Sequence, residues 1–343
     1  MDVCEDAKNT NGNTGIIIIW IFLIIQNLLC ISGLFLVSYL IVKFNIFHVH
    51  LRILILSLHF SFWARSFGTT YRAIRFLTQA IFAVNKCSYL QEFAHCKIIS
   101  QINGGPIGTI LYIFLLICLE RILSVLIFET YEKKSFKVFF FIPIVGIWYS
   151  PVSKFIYLLS DGDTLNSNKT MAYCNSLNSK VATPDSYFTL ELPICLLTFV
   201  LSIAVYVYSK ILLKKFKVVQ LQNNRLTVKF QLIELINSSK TVAILSMLYC
   251  VDLSVNTYLV LTIGNTIYNN NRDFAFDKEL SAYIIPVYIL LYCAVILSFC
   301  EPISKALATI WLVEKKLEKF KKQKISPLGN GNDYFAVYKN SGW

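Results

Sequence analysis

Charge is scarce in this chain of 343 residues: 15% are Asp, Glu, Lys or Arg, against 56% hydrophobic. A soluble domain of this length cannot hide so much apolar surface, so a fold surrounded by water is excluded. Histidine is rarer still, and His48, His50, His59 and His95 stand at no metal-ligand spacing. With no nucleophile or metal cluster in view, the sequence reads as a protein without enzymatic activity or cofactor. Internal repeats and Gly-rich linkers are also lacking, as are the paired Gly- and Pro-broken helices that many transporters carry. Gly104-Gly105-Pro106 is expected to interrupt one apolar block near its outer end.

The hydrophobic residues gather instead into blocks of roughly 20, the length that crosses a hydrocarbon layer about 30 Å thick. Seven blocks are read as spans: Ile16 to Val42, Leu51 to Tyr71, Ile98 to Phe128, Val138 to Leu159, Tyr187 to Leu213, Val242 to Ile267 and Ser281 to Phe299. The second is the weakest, because Arg65, Arg72 and Arg75 intervene, and six or eight spans are the alternatives. Cytoplasmic loops retain Lys and Arg, which sets orientation. With the amino terminus outside, the inner side holds 21 of the 32 basic residues. The net charge of +12 is therefore a lipid-facing asymmetry and not a nucleic-acid signature. The first block is about twice a signal-peptide core, and its leader carries Asp2, Glu5 and Asp6, so it reads as a retained helix.

The expected organisation is an all-α seven-helix membrane bundle, amino terminus outside and carboxyl terminus inside. Residues 1–15 form an extracellular amino terminus and residues 16–300 the bundle. Residues 301–325 are expected to form a cytoplasmic amphipathic helix, since Ile303, Leu307, Ile310, Val313, Leu317 and Phe320 repeat at about 3.6 residues with Lys315, Lys316, Lys319 and Lys322 opposite. Such a helix lies on membrane lipid. Residues 326–343 are expected to be disordered.

The largest outer loop, Ser160 to Ser186, holds the sequon Asn168-Lys169-Thr170, which makes Asn168 the candidate glycosylation site. A second sequon at Asn237 falls on the inner side. Cys4, Cys87, Cys96 and Cys174 face the oxidising compartment, where they can form two disulfides in three pairings. Cys96 begins the third span and Cys174 follows the fourth, a placement that would staple the loop over the bundle. The alternative is free thiols.

Glu120-Arg121 stands near the inner end of the third span, 25 residues beyond Cys96, or about 37 Å along a helix. An acid beside an arginine can hold it until a conformational change releases it to a cytoplasmic partner. An arginine snorkelling to headgroups is the alternative. Outer Cys96, the step to Arg121, Cys174 in the second outer loop and a basic loop from Leu221 to Glu234 occur together in rhodopsin-like receptors. More specifically, Leu119-Glu120-Arg121-Ile122-Leu123-Ser124, followed by Glu129-Thr130-Tyr131-Glu132-Lys133-Lys134, resembles the Sre family of nematode serpentine receptors, in the Sra/Sre-like superfamily. Leu226-Thr227-Val228-Lys229-Phe230-Gln231 and Phe47-His48-Val49-His50-Leu51 resemble further stretches of that family, while Leu235, Ser124 and Glu129 depart from its usual Asn, Ala and Asp. The resemblance implies a chemosensory receptor at the plasma membrane of chemosensory neurons. Its implied partners are a small-molecule ligand outside and a heterotrimeric G protein inside, reached through Glu120, Arg121 and Lys229.

Charge inside a membrane is costly and points to function. Arg65 and Asp252 lie at similar depth, about 21 Å and about 18 Å above the inner starts of their spans. Gln101, Asn103, Glu191, Asn256 and Tyr288 occupy the outer half of other spans and complete the candidate ligand cavity. Scattered interhelical hydrogen bonds are the bland reading of each residue, and a transporter or channel with a polar cavity is the rival function.

Overall fold

A computed structural model describes residues 2–44, 47–128, 131, 137–160, 169–174, 190–220, 226–268, 270–300, 303–305 and 307–309. Nine α-helices are described among them: α1 (Val3–Asn11), α2 (Thr14–Lys43), α3 (Val49–Phe82), α4 (Phe93–Leu126), α5 (Lys137–Ser160), α6 (Leu192–Gln220), α7 (Leu226–Asn265), α8 (Asn271–Ser281) and α9 (Ile284–Phe299). Two short strands, β1 (Gln91–Glu92) and β2 (Thr170–Met171), pair antiparallel, with Gln91 opposite Met171.

Among the described residues, six stretches are long and apolar enough to cross a membrane: α2, α4, 138–160, 192–215, 232–265 and 271–299, the last shared by α8 and α9. The seventh member of the bundle is α3. Its 34 residues reach about 51 Å, and it packs against α2, α4 and α5. Arginines and histidines dilute its apolar content, but Arg65 and Arg72 turn to partners on other helices rather than to lipid. The helix also runs on to Phe82, well beyond the Tyr71 expected from hydropathy. The last span departs in another way: it breaks at Ala282 and Tyr283, so that a short polar helix, capped by Asn270 onto the Asp273 amide at 2.9 Å, precedes the buried apolar one.

The main core joins α2, α3, α4, α7 and α9 through Leu34, Leu54, Phe62, Phe114, Tyr249 and Tyr292. An outer cluster of Ile16, Trp20, Phe76, Cys96, Tyr173 and Ala275 closes the bundle on the amino-terminal side. α5 is the peripheral member, with almost all its apolar stretch unburied, as lipid contact requires.

Gly104-Gly105-Pro106 does not interrupt its span. α4 runs unbroken from Phe93 to Leu126 with Pro106 inside it, because the small residues serve packing. A Cβ on Gly105 would stand 3.0 Å from the Pro151 Cβ of α5. On the facing helix, a Cβ on Gly68 would meet the Ile102 side chain at 3.0 Å and Asn103 Oδ1 at 3.1 Å. Close approach of backbones is the usual use of glycine between membrane helices.

The segment expected as a plain extracellular leader contains α1. Cys4 is bonded to Cys87, with Cα atoms 4.5 Å apart. Asn11 donates its amide to the carbonyls of Tyr89 and Ala172, at 2.9 and 2.8 Å. Lys86 pairs with Glu5. A second disulfide joins Cys96 to Cys174. Most of the 301–325 segment and all of 326–343 lie outside the described residues; 303–305 and 307–309 are helical, with Ile303 buried in the main core.

Candidate functional site

At the inner end, α4 carries Glu120 and Arg121, both buried although adjacent in sequence. The guanidinium grips its neighbour with two nitrogens, Nε to Glu120 Oε2 and Nη2 to Oε1, each at 2.5 Å. Such a bidentate charge-assisted pair fixes both side chains. Nη1 is then aimed at α7, where it donates to Ser238 Oγ at 2.7 Å. Tyr131, in the loop after α4, donates its hydroxyl to Glu120 Oε1. Burial first, and then the Glu120 carboxylate, hold the Tyr131 pKa well above the ordinary tyrosine value, so the phenol stays a donor. His50 of α3 meets the same hydroxyl at 3.1 Å through Nδ1, and the His48 ring packs on Tyr131 at 4.9 Å. The cavity beside this group, lined by His48, Arg121, Ser124, Phe128, Tyr131, Glu234 and Leu235, measures about 40 Å³. Lys229 lies in α7, with its side chain outside the described residues.

Midway across the bundle, Arg65 donates from Nη1 to the Asn103 carbonyl at 2.8 Å and to its Oδ1 at 3.3 Å. Thr69 adds a hydrogen bond to the same Oδ1 at 3.2 Å. Asp252 of α7 lies within electrostatic reach of Arg65, and Tyr288 of α9 within reach of Asp252. Asn256 stands one turn from Asp252 on the same face of α7. Tyr288 packs between Phe62 and Tyr249, at 5.9 and 5.4 Å, and its buried hydroxyl has no hydrogen-bond partner among the described residues. Glu191 precedes α6, near Cys195, with one buried carboxylate oxygen unbonded. Gln101 is placed apart. Two residues from Asn103, it is rotated about 200° around α4, toward Gly105 and the α5 side. Asn168 lies outside the described residues.

Inward of these residues His59, fully buried on α3, joins three helices. Its Nδ1 lies 2.6 Å from Ser38 Oγ of α2 and its Nε2 2.8 Å from the Tyr292 hydroxyl of α9. Above it, Arg72 of α3 pairs with Glu279 of α8 at 2.7 Å, and Tyr173 donates to the other Glu279 oxygen at 2.7 Å. Tyr173 adjoins the disulfide-bonded Cys174, so the second outer loop is tied to α4 covalently and to α3 and α8 through one carboxylate.

The model of the serpentine type 7TM GPCR chemoreceptor Sra family matches residues 5–321. The chain belongs to that family. This Sra chemoreceptor is therefore a multi-pass membrane protein of a receptor family. The match is to Sra, within the Sra/Sre-like superfamily, and it includes the runs at 119–134 and 226–231 that resemble Sre. A search of curated proteins finds no match.

Sequence reasoning missed several members of the Sra receptor's polar networks. Tyr131 lay inside a recognised motif without a role. Ser238, His59 and the Arg72–Glu279 pair had no local signal beyond an unusual polarity at helical positions. Glu279 alone among them sits in a segment polar enough to pass as loop, which conceals that its side chain is fully buried.

Proposed function

We propose that this protein detects an external small molecule and signals through a cytoplasmic heterotrimeric G protein, from the plasma membrane of a chemosensory cell. Membership of the chemoreceptor family gives the class. The observation that carries the mechanism is the buried Glu120–Arg121 pair and its bond to Ser238, because it binds the inner ends of α4 and α7 in one packing. A ligand that prefers another packing shifts the balance by the difference of its two affinities. In the reading adopted here, Arg65, Asn103, Asp252, Asn256, Tyr288 and Glu191 line the ligand cavity, with Gln101 at its margin, and Arg121 with Lys229 meets the G protein. The run from Leu119 to Lys134 favours the Sre type within the superfamily. Catalysis has no role in this scheme.

The test is a ligand screen in cells that carry a promiscuous G-protein reporter. Activation is expected to depend on surface expression and to vanish in Arg121→Ala. Purified protein that moves solute across liposomes with no G protein would replace this reading with a transporter.

A further inference from the structure

Two contacts set the register of α2 against antiparallel α3. Ser38 meets His59 at 2.6 Å, and farther outward the Trp20 and Phe76 rings meet at 5.4 Å. Asn27 lies eleven residues outward from Ser38, and Thr70 eleven residues outward from His59. The two therefore face each other at one depth. Steps of seven and eleven residues both return close to the same helix face, so Asn27 shares the α3-facing stripe with Trp20 and Ser38. One turn inward from Thr70 is Ser66, itself one turn from Phe62, whose ring meets Tyr288 and Tyr292 of α9 at 5.9 and 5.0 Å. Cys30, near Asn27 on α2, donates to the Pro286 carbonyl of α9 at 3.2 Å. Three helices thus converge at this level.

The polar atoms here are left over. Asn27, Ser66 and Thr70 are 1%, 0% and 8% exposed. Asn27 donates its amide to the Leu23 carbonyl at 2.8 Å, but Asn27 Oδ1, Ser66 Oγ and Thr70 Oγ1 have no hydrogen-bond partner among the described residues. Ser61, Thr69, Thr198, Ser202 and Ser209 instead each donate to a carbonyl of their own helix, while Ser239 and Thr257 of α7 are likewise unpaired among the described residues. Buried polar groups that do neither call for a polar guest. Among the described residues the nearby cations are directed elsewhere, Arg65 to Asn103, Arg72 to Glu279 and Lys278 to Ser281, so none of them is aimed at an ionised guest in the seam.

We propose that the seam of α2, α3 and α9 is a ligand subsite for an uncharged hydrogen-bonding group, a hydroxyl or carbonyl, held by Asn27, Ser66 and Thr70. This rests on the receptor reading in taking the guest to be the ligand. An alcohol donates to Asn27 Oδ1 and accepts from a hydroxyl; a ketone accepts from Ser66 and Thr70.

The test begins with substituted cysteines in the full-length protein in membranes. Ser66→Cys and Thr70→Cys are nearly isosteric and are read only in protein that reaches the surface with both disulfides intact. Each is treated with methyl methanethiosulfonate, which is small and neutral, and with its permanently charged trimethylammonium counterpart. Intact mass is expected to show one adduct more than the parent treated in parallel, formed at least tenfold faster with the neutral reagent. Some member of a panel of small alcohols and ketones should slow labelling at least fivefold, and carboxylates of matched length should not. The same compound should activate the reporter, with its half-maximal concentration raised roughly tenfold by Asn27→Leu or Ser66→Ala, the scale of one lost hydrogen bond. No adduct in either variant, or equal protection by carboxylates, overturns the subsite and leaves the receptor reading standing. Labelling that alcohols or ketones protect, without any reporter response, keeps the subsite and removes the receptor reading.

Discussion

Arg121 of α4 donates to Ser238 of α7 across 2.7 Å while its other nitrogens hold Glu120. Ser238 also back-bonds to the Glu234 and Leu235 carbonyls, at 2.9 and 3.1 Å, so the bridge is anchored on a rigid turn of α7. Any outward movement of the inner end of α7 has to break it.

Glu120→Gln keeps the shape and removes the charge, and is expected to raise ligand-independent signalling. Ser238→Ala removes one hydrogen bond from the charged guanidinium, about 1.5–3 kcal/mol, and should raise it about tenfold or more. Arg121→Ala should abolish signalling at normal surface levels. Basal reporter output normalised to surface protein checks all three, and wild-type signalling by Arg121→Ala would reduce that residue to a snorkelling cation.

Tyr131→Phe takes away the hydroxyl that joins Glu120 to His50. Basal activity is expected to rise, by less than in Glu120→Gln, because the bidentate pair persists. A double variant with His50→Leu should add little to Tyr131→Phe, since the two act through one bond. Additive effects in this cycle would show that His50 and Tyr131 act separately.

Arg72→Met leaves the buried Glu279 carboxylate without its cation, which costs about 3–5 kcal/mol when one partner of a buried pair is removed. Tyr173→Phe forfeits a single hydrogen bond to the same group, about 1.5–3 kcal/mol where the acceptor is charged. Thermal unfolding of detergent-purified protein should therefore rank Arg72→Met below Tyr173→Phe, and both below wild type. The reverse order would mean that Glu279 is held mainly by the loop.

Mass spectrometry of non-reduced peptides is expected to find Cys4 with Cys87 and Cys96 with Cys174. Loss of either bridge should cost about 2–5 kcal/mol, the usual range for removing a native disulfide, and retain the protein in the secretory pathway. An epitope tag at residue 2 should be open to antibody on intact cells and one after Trp343 should not. Labelling of both ends would mean an even number of spans.

Legibility followed range. Apolar blocks near 20 residues are a local property, so the helical membrane class and six spans were plain from hydropathy. The second span was faint for a physical reason: Arg65 and Arg72 count against a lipid environment in any window, whereas in the bundle they are turned onto Asn103 and Glu279. Gly104-Gly105-Pro106 misled in the opposite sense. Its breaking tendency is intrinsic, and packing against Pro151 and α3 overrode it.

The sequence by itself determined that this chain lives in lipid, which blocks cross it, and that an acid and an arginine stand together at the inner border. It could do so because solvent partition and charge placement depend on residues close in the chain. Only the tertiary structure decided which polar groups meet: Arg121 with Ser238, His59 with Ser38 and Tyr292, and Arg72 and Tyr173 with Glu279. Those pairings depend on the rotation and relative depth of separate helices. Apolar flanks of almost uniform hydrophobicity leave both unspecified until the side chains interlock.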